Sequence, residues 1–317
     1  MIKMTEIDAY QYWMNQLVSR SPSTKKAYNL HFKNFLEYMK ATPNQLIQMQ
    51  KEALEDNGDP RENRVVENKV RAWLAEMKTA KSPATCRLAW AAVKSFFTLN
   101  LHPLRMTRLD RPQGESQGSR IPEKEEVIRI ADAAKWKYRA AIMFLKDSGL
   151  RTSDLALIKW KDAVDMGDGF WNFNLITEKR KVAACVFVGP ETTRLLEQFK
   201  NKTGHVFPAH VGTMNRELNR IIDKASVKNV SAHGLRKYYV TSLQHARVPQ
   251  EYILRMMGKK NSVYSENRRS ELFQAYRKAY PELSIYAAKQ QTEELEKLKE
   301  ELLELRKLVK EKLAQQP

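Results

Sequence analysis

The sequence predicts a mainly helical chain of two domains with one small β-sheet. Three observations lead there. The chain has 317 residues and is 42% apolar, too long for one ordinary domain and able to fold without staples. Aromatic and aliphatic residues recur at helical spacing over most of its length. One short region, 169–188, switches to strand-like alternation.

The first hundred residues read as helices. Ser21-Pro22-Ser23-Thr24 supplies a cap and a breaker, after which Ala27, Tyr28, Phe32, Phe35, Leu36 and Met39 predict a helix from about Thr24 to Met39. The same opening returns at Ser82-Pro83-Ala84-Thr85, ahead of Leu88, Trp90, Ala92, Val93, Phe96 and Phe97, so the two helices are expected to be partners in one bundle. Asn44–Leu54 and Val65–Met77 are weaker helical stretches, separated by the polar loop Glu55–Pro60. Residues 107–122, TRLDRPQGESQGSRIP, have no periodic apolar face and are expected to link the domains.

Beyond the linker, Glu123–Asp132 and Tyr138–Lys146 are expected as helices. Gly169–Ile176 alternates after an Asp-Gly turn signal and Val182–Val188 is β-branched-rich, which predicts a hairpin turning at 177–181. Helices resume from Thr192. In the last segment, from Ala287, Leu295, Leu298, Leu302, Leu305 and Val309 keep a heptad rhythm, expected to form a coiled coil or a helix docked on a neighbour.

Charge is the first functional clue. Lys and Arg number 55 against 37 Asp and Glu, a net +18, which favours a polyanionic partner. The segment from Ala287 holds seven basic residues and seven glutamates, so the excess lies in the body. No apolar run is long enough for a signal peptide or a membrane span, and a cytoplasmic, DNA-associated location is expected. Cys86 and Cys185 stand far apart without a Cys/His cluster, so neither a disulfide framework nor a zinc site follows.

Three motifs carry chemistry. Gly149-Leu150-Arg151-Thr152-Ser153-Asp154-Leu155 is continued by Lys159-Trp160-Lys161-Asp162; Ala232-His233-Gly234-Leu235-Arg236-Lys237-Tyr238 comes next, and then Leu254-Arg255-Met256-Met257-Gly258-Lys259. In this order they resemble the boxes of the tyrosine-recombinase (phage-integrase) family, and with the aromatic SPxT helix the resemblance covers nearly everything before Ala287. It implies a C-shaped DNA clamp. A helical core-binding domain would span 1–106, the linker 107–122, the catalytic domain 123–286 and the terminal helix 287–317.

The resemblance also implies the reaction: a tyrosine attacks a DNA phosphodiester, giving a 3′-phosphotyrosine and a free 5′-hydroxyl, without cofactor or metal. Fixed guanidinium forks suit the extra charge on the phosphorus oxygens. Arg151 and Arg236 would clamp the scissile phosphate and His233 would bond it or aid proton transfer. Asp154 would buttress the first arginine rather than react. A hairpin lysine would protonate the leaving oxygen; Lys179 fits best and Lys181 competes. Lys259 stands where the family usually has histidine, which puts a general-base role in doubt.

For the nucleophile, the usual spacing lands on Arg268, which cannot serve. Tyr264 copies the local setting if the intervening loop is shortened, with Tyr276, Tyr280 and Tyr286 as rivals; Tyr276 and Tyr280 share a stripe suited to helix packing. The departures at Lys259 and Tyr264 look more like archaeal mobile-element integrases and transposases than chromosome-dimer resolvases. Double-stranded DNA and a homo-oligomer, dimer or tetramer, are the implied partners. A type IB topoisomerase and a catalytically silent DNA-binding protein are the alternatives.

Overall fold

A computed structural model describes residues 8–56, 59, 63–114, 118–179, 181–199, 201–207, 210–259 and 268–286. The chain divides into two compact units, 1–118 and 119–317. No described helix is long and apolar enough to cross a membrane. The terminal heptads and Tyr264 lie outside the described residues.

The first unit contains α1 (Ala9–Gln16), α2 (Pro22–Met39), α3 (Pro43–Glu55), α4 (Val65–Ala80) and α5 (Pro83–Leu99). The repeated SPxT opening is a helix start in both places. Ser21 Oγ accepts the Thr24 N–H at 3.2 Å and Ser82 Oγ the Thr85 N–H at 3.3 Å, while proline occupies the first turn, where its missing N–H costs nothing. The two helices are partners as expected: the Phe32 and Phe96 rings lie 4.1 Å apart between centroids, with Trp13 of α1 against both.

The stretch read as a linker is ordered on this side. Arg71 Nε donates to Asp110 Oδ1 at 2.7 Å and Arg87 Nη1 to the Gly114 carbonyl at 2.6 Å. These pairings reach across 39 and 27 residues, so no local pattern reveals them.

In the second unit, α6 (Lys124–Ala133) and α7 (Trp136–Ser148) lead through the short α8 (Thr152–Leu155) into an antiparallel sheet of β1 (Ala163–Asp165), β2 (Trp171–Ile176) and β3 (Ala183–Val188), in that order. The expected hairpin is β2–β3, with Trp171 opposite Val188 and Ile176 opposite Ala183. Strand β1, only three residues long, is too short to leave a periodic signal. Helices α9 (Pro190–Glu197), α10 (Val211–Lys224), α11 (Ala232–His245), α12 (Gln250–Met256) and α13 (Arg269–Leu283) complete it.

Helix α7 is the unit's axis, buried from Ala140 through Ser148. Its last turn buries charge. Lys146 Nζ lies 2.6 Å from Asp147 Oδ1 and 3.1 Å from Glu191 Oε2, and donates to the Leu283 carbonyl. Glu191 also accepts the Ser284 hydroxyl and the Ile285 and Tyr286 N–H groups, while Asp147 accepts Gly189 N and Thr192 Oγ1. Mutual pairing and these bonds offset a desolvation cost of several kcal/mol per ion, and they tie α7, α9 and the end of α13 together. Both cysteines are buried and free.

Candidate active site

The first arginine sits just past the end of α7. Gly149 closes that helix in the left-handed conformation, φ 59°, and a Cβ there would lie 2.3 Å from Tyr239 Cδ1 of α11. Only glycine satisfies both conditions. The chain then extends through Arg151 and enters α8, whose start Asp154 caps: its Oδ2 accepts the Arg151 N–H at 3.2 Å and lies 3.8 Å from Arg151 Nη1. Arg151 keeps about a fifth of its side chain exposed (21%). Its Nη1 is buried and makes no hydrogen bond among the described residues.

Arg236 arrives from α11. It is buried, and its Nη1 donates to the Gly149 carbonyl at 2.6 Å. His233, three residues earlier, is exposed at the helix start. Together with Arg151, Thr152, Asn215 and Ser231 it lines a cleft of about 320 Å³. Thr152 Oγ1 and Asn215 Oδ1, 2.5 Å apart, join α8 to α10 along its wall.

The lysine-bearing turn is held to the same place. Glu178 N–H donates to Asp154 Oδ1 at 3.0 Å, so one buried carboxylate grips both the Arg151 backbone and the residue before Lys179. Lys179 and Lys181 are both exposed in this turn, which the Thr177 N–H closes onto the Val182 carbonyl. Lys259 follows Gly258, where a Cβ would lie 2.4 Å from Thr177 Cγ2; the third box is thereby pressed onto the foot of the turn. Lys259 is half-buried.

The electrostatics agree with the geometry. Partial desolvation lowers the pKa of His233 below its ordinary value, and Arg236, Lys237, Arg151 and Lys259 lower it further. Four cations from three elements therefore bear on one imidazole beside an open cleft, an arrangement suited to an anion. Lys237 carries no motif of its own in the sequence beyond its place next to Arg236. Among the described residues no group of three or more His, Cys, Asp or Glu side chains could hold a metal ion.

The tyrosines separate by environment. Tyr276 is fully buried and donates to the Asp147 carbonyl at 3.1 Å; Tyr280 is buried, its hydroxyl accepting the Glu191 N–H at 3.3 Å. Burial pushes both phenols well above their usual range. They are core residues, as their spacing suggested. Tyr286 is half-buried and donates to Asp132 Oδ1 at 2.9 Å, and burial raises its phenol too.

Residues 121–267 match the phage integrase family. No curated protein sequence matches the chain. Among solved structures, a lambda integrase (75–356) dimer bound to a COC′ core site is similar with TM-score 0.61 and 17% identity, covering 81% of this chain and 97% of that one. A lambda integrase tetramer bound to a Holliday junction gives TM-score 0.61 and 18% identity over 83% of this chain and 76% of that one. The fold is thus that of lambda integrase over most of the chain, and the three boxes fall in order within the matched residues. Residues 121–267 are thus a phage integrase family domain, carried on a chain whose fold is that of lambda integrase.

Proposed function

We propose that this protein cuts and rejoins double-stranded DNA at specific sites, as an integrase or related recombinase, through a 3′-phosphotyrosine intermediate. The observation that supports this best is the convergence on Gly149–Asp154: Arg151 and His233 share one cleft, Arg236 is bonded to Gly149, and Asp154 holds the Lys179 turn.

Arg151 and Arg236 bind the non-bridging oxygens of the scissile phosphate and stabilise the charge that builds there. The buried Nη1 of Arg151 finds its acceptor in one of these oxygens. His233 and Lys259 add hydrogen bonds at the same phosphate. The nucleophile is Tyr264, because Tyr276 and Tyr280 are buried with their hydroxyls engaged and Tyr286 is bonded to Asp132. Its phenolic oxygen bonds to phosphorus, its proton passing to the His233 imidazole, as the bond to the 5′ oxygen breaks. Lys179 gives its proton to that oxygen. A 5′-hydroxyl of the partner strand then attacks phosphorus and releases the tyrosine. The lambda integrase structures are a dimer and a tetramer on DNA, and an oligomer on duplex DNA is the working form proposed for this chain.

A duplex nicked close to the cleavage site tests this, because loss of the short 5′-hydroxyl strand traps the covalent adduct. An adduct that maps to Tyr264 and disappears in Tyr264→Phe is expected. Tight binding without an adduct means a silent binding protein, and an adduct on Tyr276, Tyr280 or Tyr286 overturns the nucleophile. Relaxation of supercoiled DNA by a monomer makes the protein a topoisomerase.

A further inference from the structure

The chain enters its second unit at Ser119–Arg120, just ahead of the residues that match the family, and these two residues land on the stretch that carries His233 and Arg236. The Arg120 N–H donates to the Asn229 carbonyl at 2.8 Å and its Nε to the Lys228 carbonyl at 3.1 Å. Ser119 Oγ accepts the N–H of Ser231, the cap residue of α11, at 2.9 Å, and the Ser119 carbonyl accepts from Lys237 Nζ. Ser231 makes no side-chain capping bond of its own, so the start of α11 is held from outside the helix. The approach is close: a Cβ on Gly234 would stand 3.0 Å from the Arg120 carbonyl oxygen and 3.1 Å from Ser119 Oγ.

Arg120 is itself fixed. Its two terminal nitrogens each donate to Glu126 at 2.6 Å, and Glu126 also accepts the Glu123 N–H at the start of α6. That fork is the main reason the Glu126 carboxyl is pulled down to about 2.

We infer that Ser119 and Arg120 are positioning residues: the end of the segment joining the two units sets where α11 begins, and so where His233 stands relative to Arg236 and Arg151. Beyond the Lys237 bond to the Ser119 carbonyl, the rest of α11 is held by other contacts, because Leu235, Tyr238, Tyr239 and Leu243 bury it and Arg236 is bonded to Gly149. The Ser119 hydroxyl acts on the helix start, where the exposed His233 stands. The catalytic consequence rests on the function proposed above; the geometric one does not.

The test uses the full-length protein and two readouts. One is the titration of the His233 imidazole by NMR without DNA. The groups that act on it are Arg236 and Lys237 of its own helix, Arg151 ahead of α8 and Lys259 after α12. The other is single-turnover cleavage of a saturating nicked duplex. In Ser119→Ala the first turn loosens, and the His233 midpoint rises toward its ordinary value. Cleavage slows by up to about a hundredfold with duplex affinity unchanged, the scale on which a misplacement caused away from the chemistry costs rate. Arg120→Ala acts in the same direction, and Ser119→Thr, which keeps the hydroxyl, restores both readouts. Wild-type titration and cleavage in both alanine variants overturn the inference. So does a fall in melting temperature that accompanies the loss and is not restored by threonine. If the wild-type protein itself forms no adduct, the proposed function fails while the imidazole titration still decides the positioning.

Discussion

Arg236 donates to the carbonyl oxygen of Gly149 at 2.6 Å, two residues before Arg151, so the second arginine box is bonded to the backbone that presents the first. The two arginines therefore carry different loads. Arg236 is buried, whereas Arg151 keeps 21% of its side chain exposed. Arg151→Ala is expected to slow adduct formation by about 10²–10³, the scale for losing one fixed donor to a developing oxyanion, with little change in unfolding. Arg236→Ala is expected to lose as much activity and also about 1–3 kcal/mol of stability, because the Gly149 carbonyl is left without its donor. Denaturant unfolding beside cleavage assays separates the two. Equal stability loss in both variants contradicts the assignment.

Lys179 and Lys181 can be distinguished chemically. A substrate whose 5′ bridging oxygen is replaced by sulfur leaves without a proton. Cleavage lost in Lys179→Ala is expected to return on that substrate, and Lys181→Ala is expected to cleave both substrates like wild type. Rescue of Lys181→Ala instead transfers the role.

Asp154 joins Arg151 to the Lys179 turn, so Asp154→Ala is expected to impair both partners. The defect is only partly rescued by the sulfur substrate, since the arginine is displaced as well. Full rescue means that Asp154 serves the lysine turn alone.

His233 links activity and pH. Its folded pKa lies below the ordinary 6.5, so between the two values the unfolded chain binds more protons. Its contribution to stability is therefore complete above 6.5 and is lost as pH falls through the folded value. A phosphate in the cleft opposes the four cations, so an uncleavable duplex is expected to raise the His233 midpoint, read by NMR. A midpoint that stays or falls on binding removes His233 from the phosphate site.

The buried cluster makes a separate prediction. Lys146→Met leaves Asp147 and Glu191 buried without their cation, and is expected to cost about 3–5 kcal/mol in denaturant unfolding. Tyr276→Phe removes one hydrogen bond, to the Asp147 carbonyl, and is expected to cost about 1 kcal/mol while leaving cleavage intact.

The sequence by itself determined what depends on neighbours along the chain. The SPxT caps, the aromatic stripes of α2 and α5 and the β2–β3 hairpin were legible because capping and periodicity act within a few residues. The order of the three boxes was legible through their resemblance to those of the tyrosine-recombinase family. Only the tertiary structure decided how the boxes meet. The Arg236–Gly149 bond spans 87 residues, the Glu178–Asp154 bond 24, and the Ser231–Ser119 bond 112, distances over which no periodic signal survives. It also decided which tyrosines are core, since burial of a phenol is a property of packing. The linker shows the division most plainly. Its polar composition marked 107–122 as a connection, yet its two ends are anchored by Asp110 and Gly114 on one unit and by Ser119 and Arg120 on the other, through partners that only folding brings into reach.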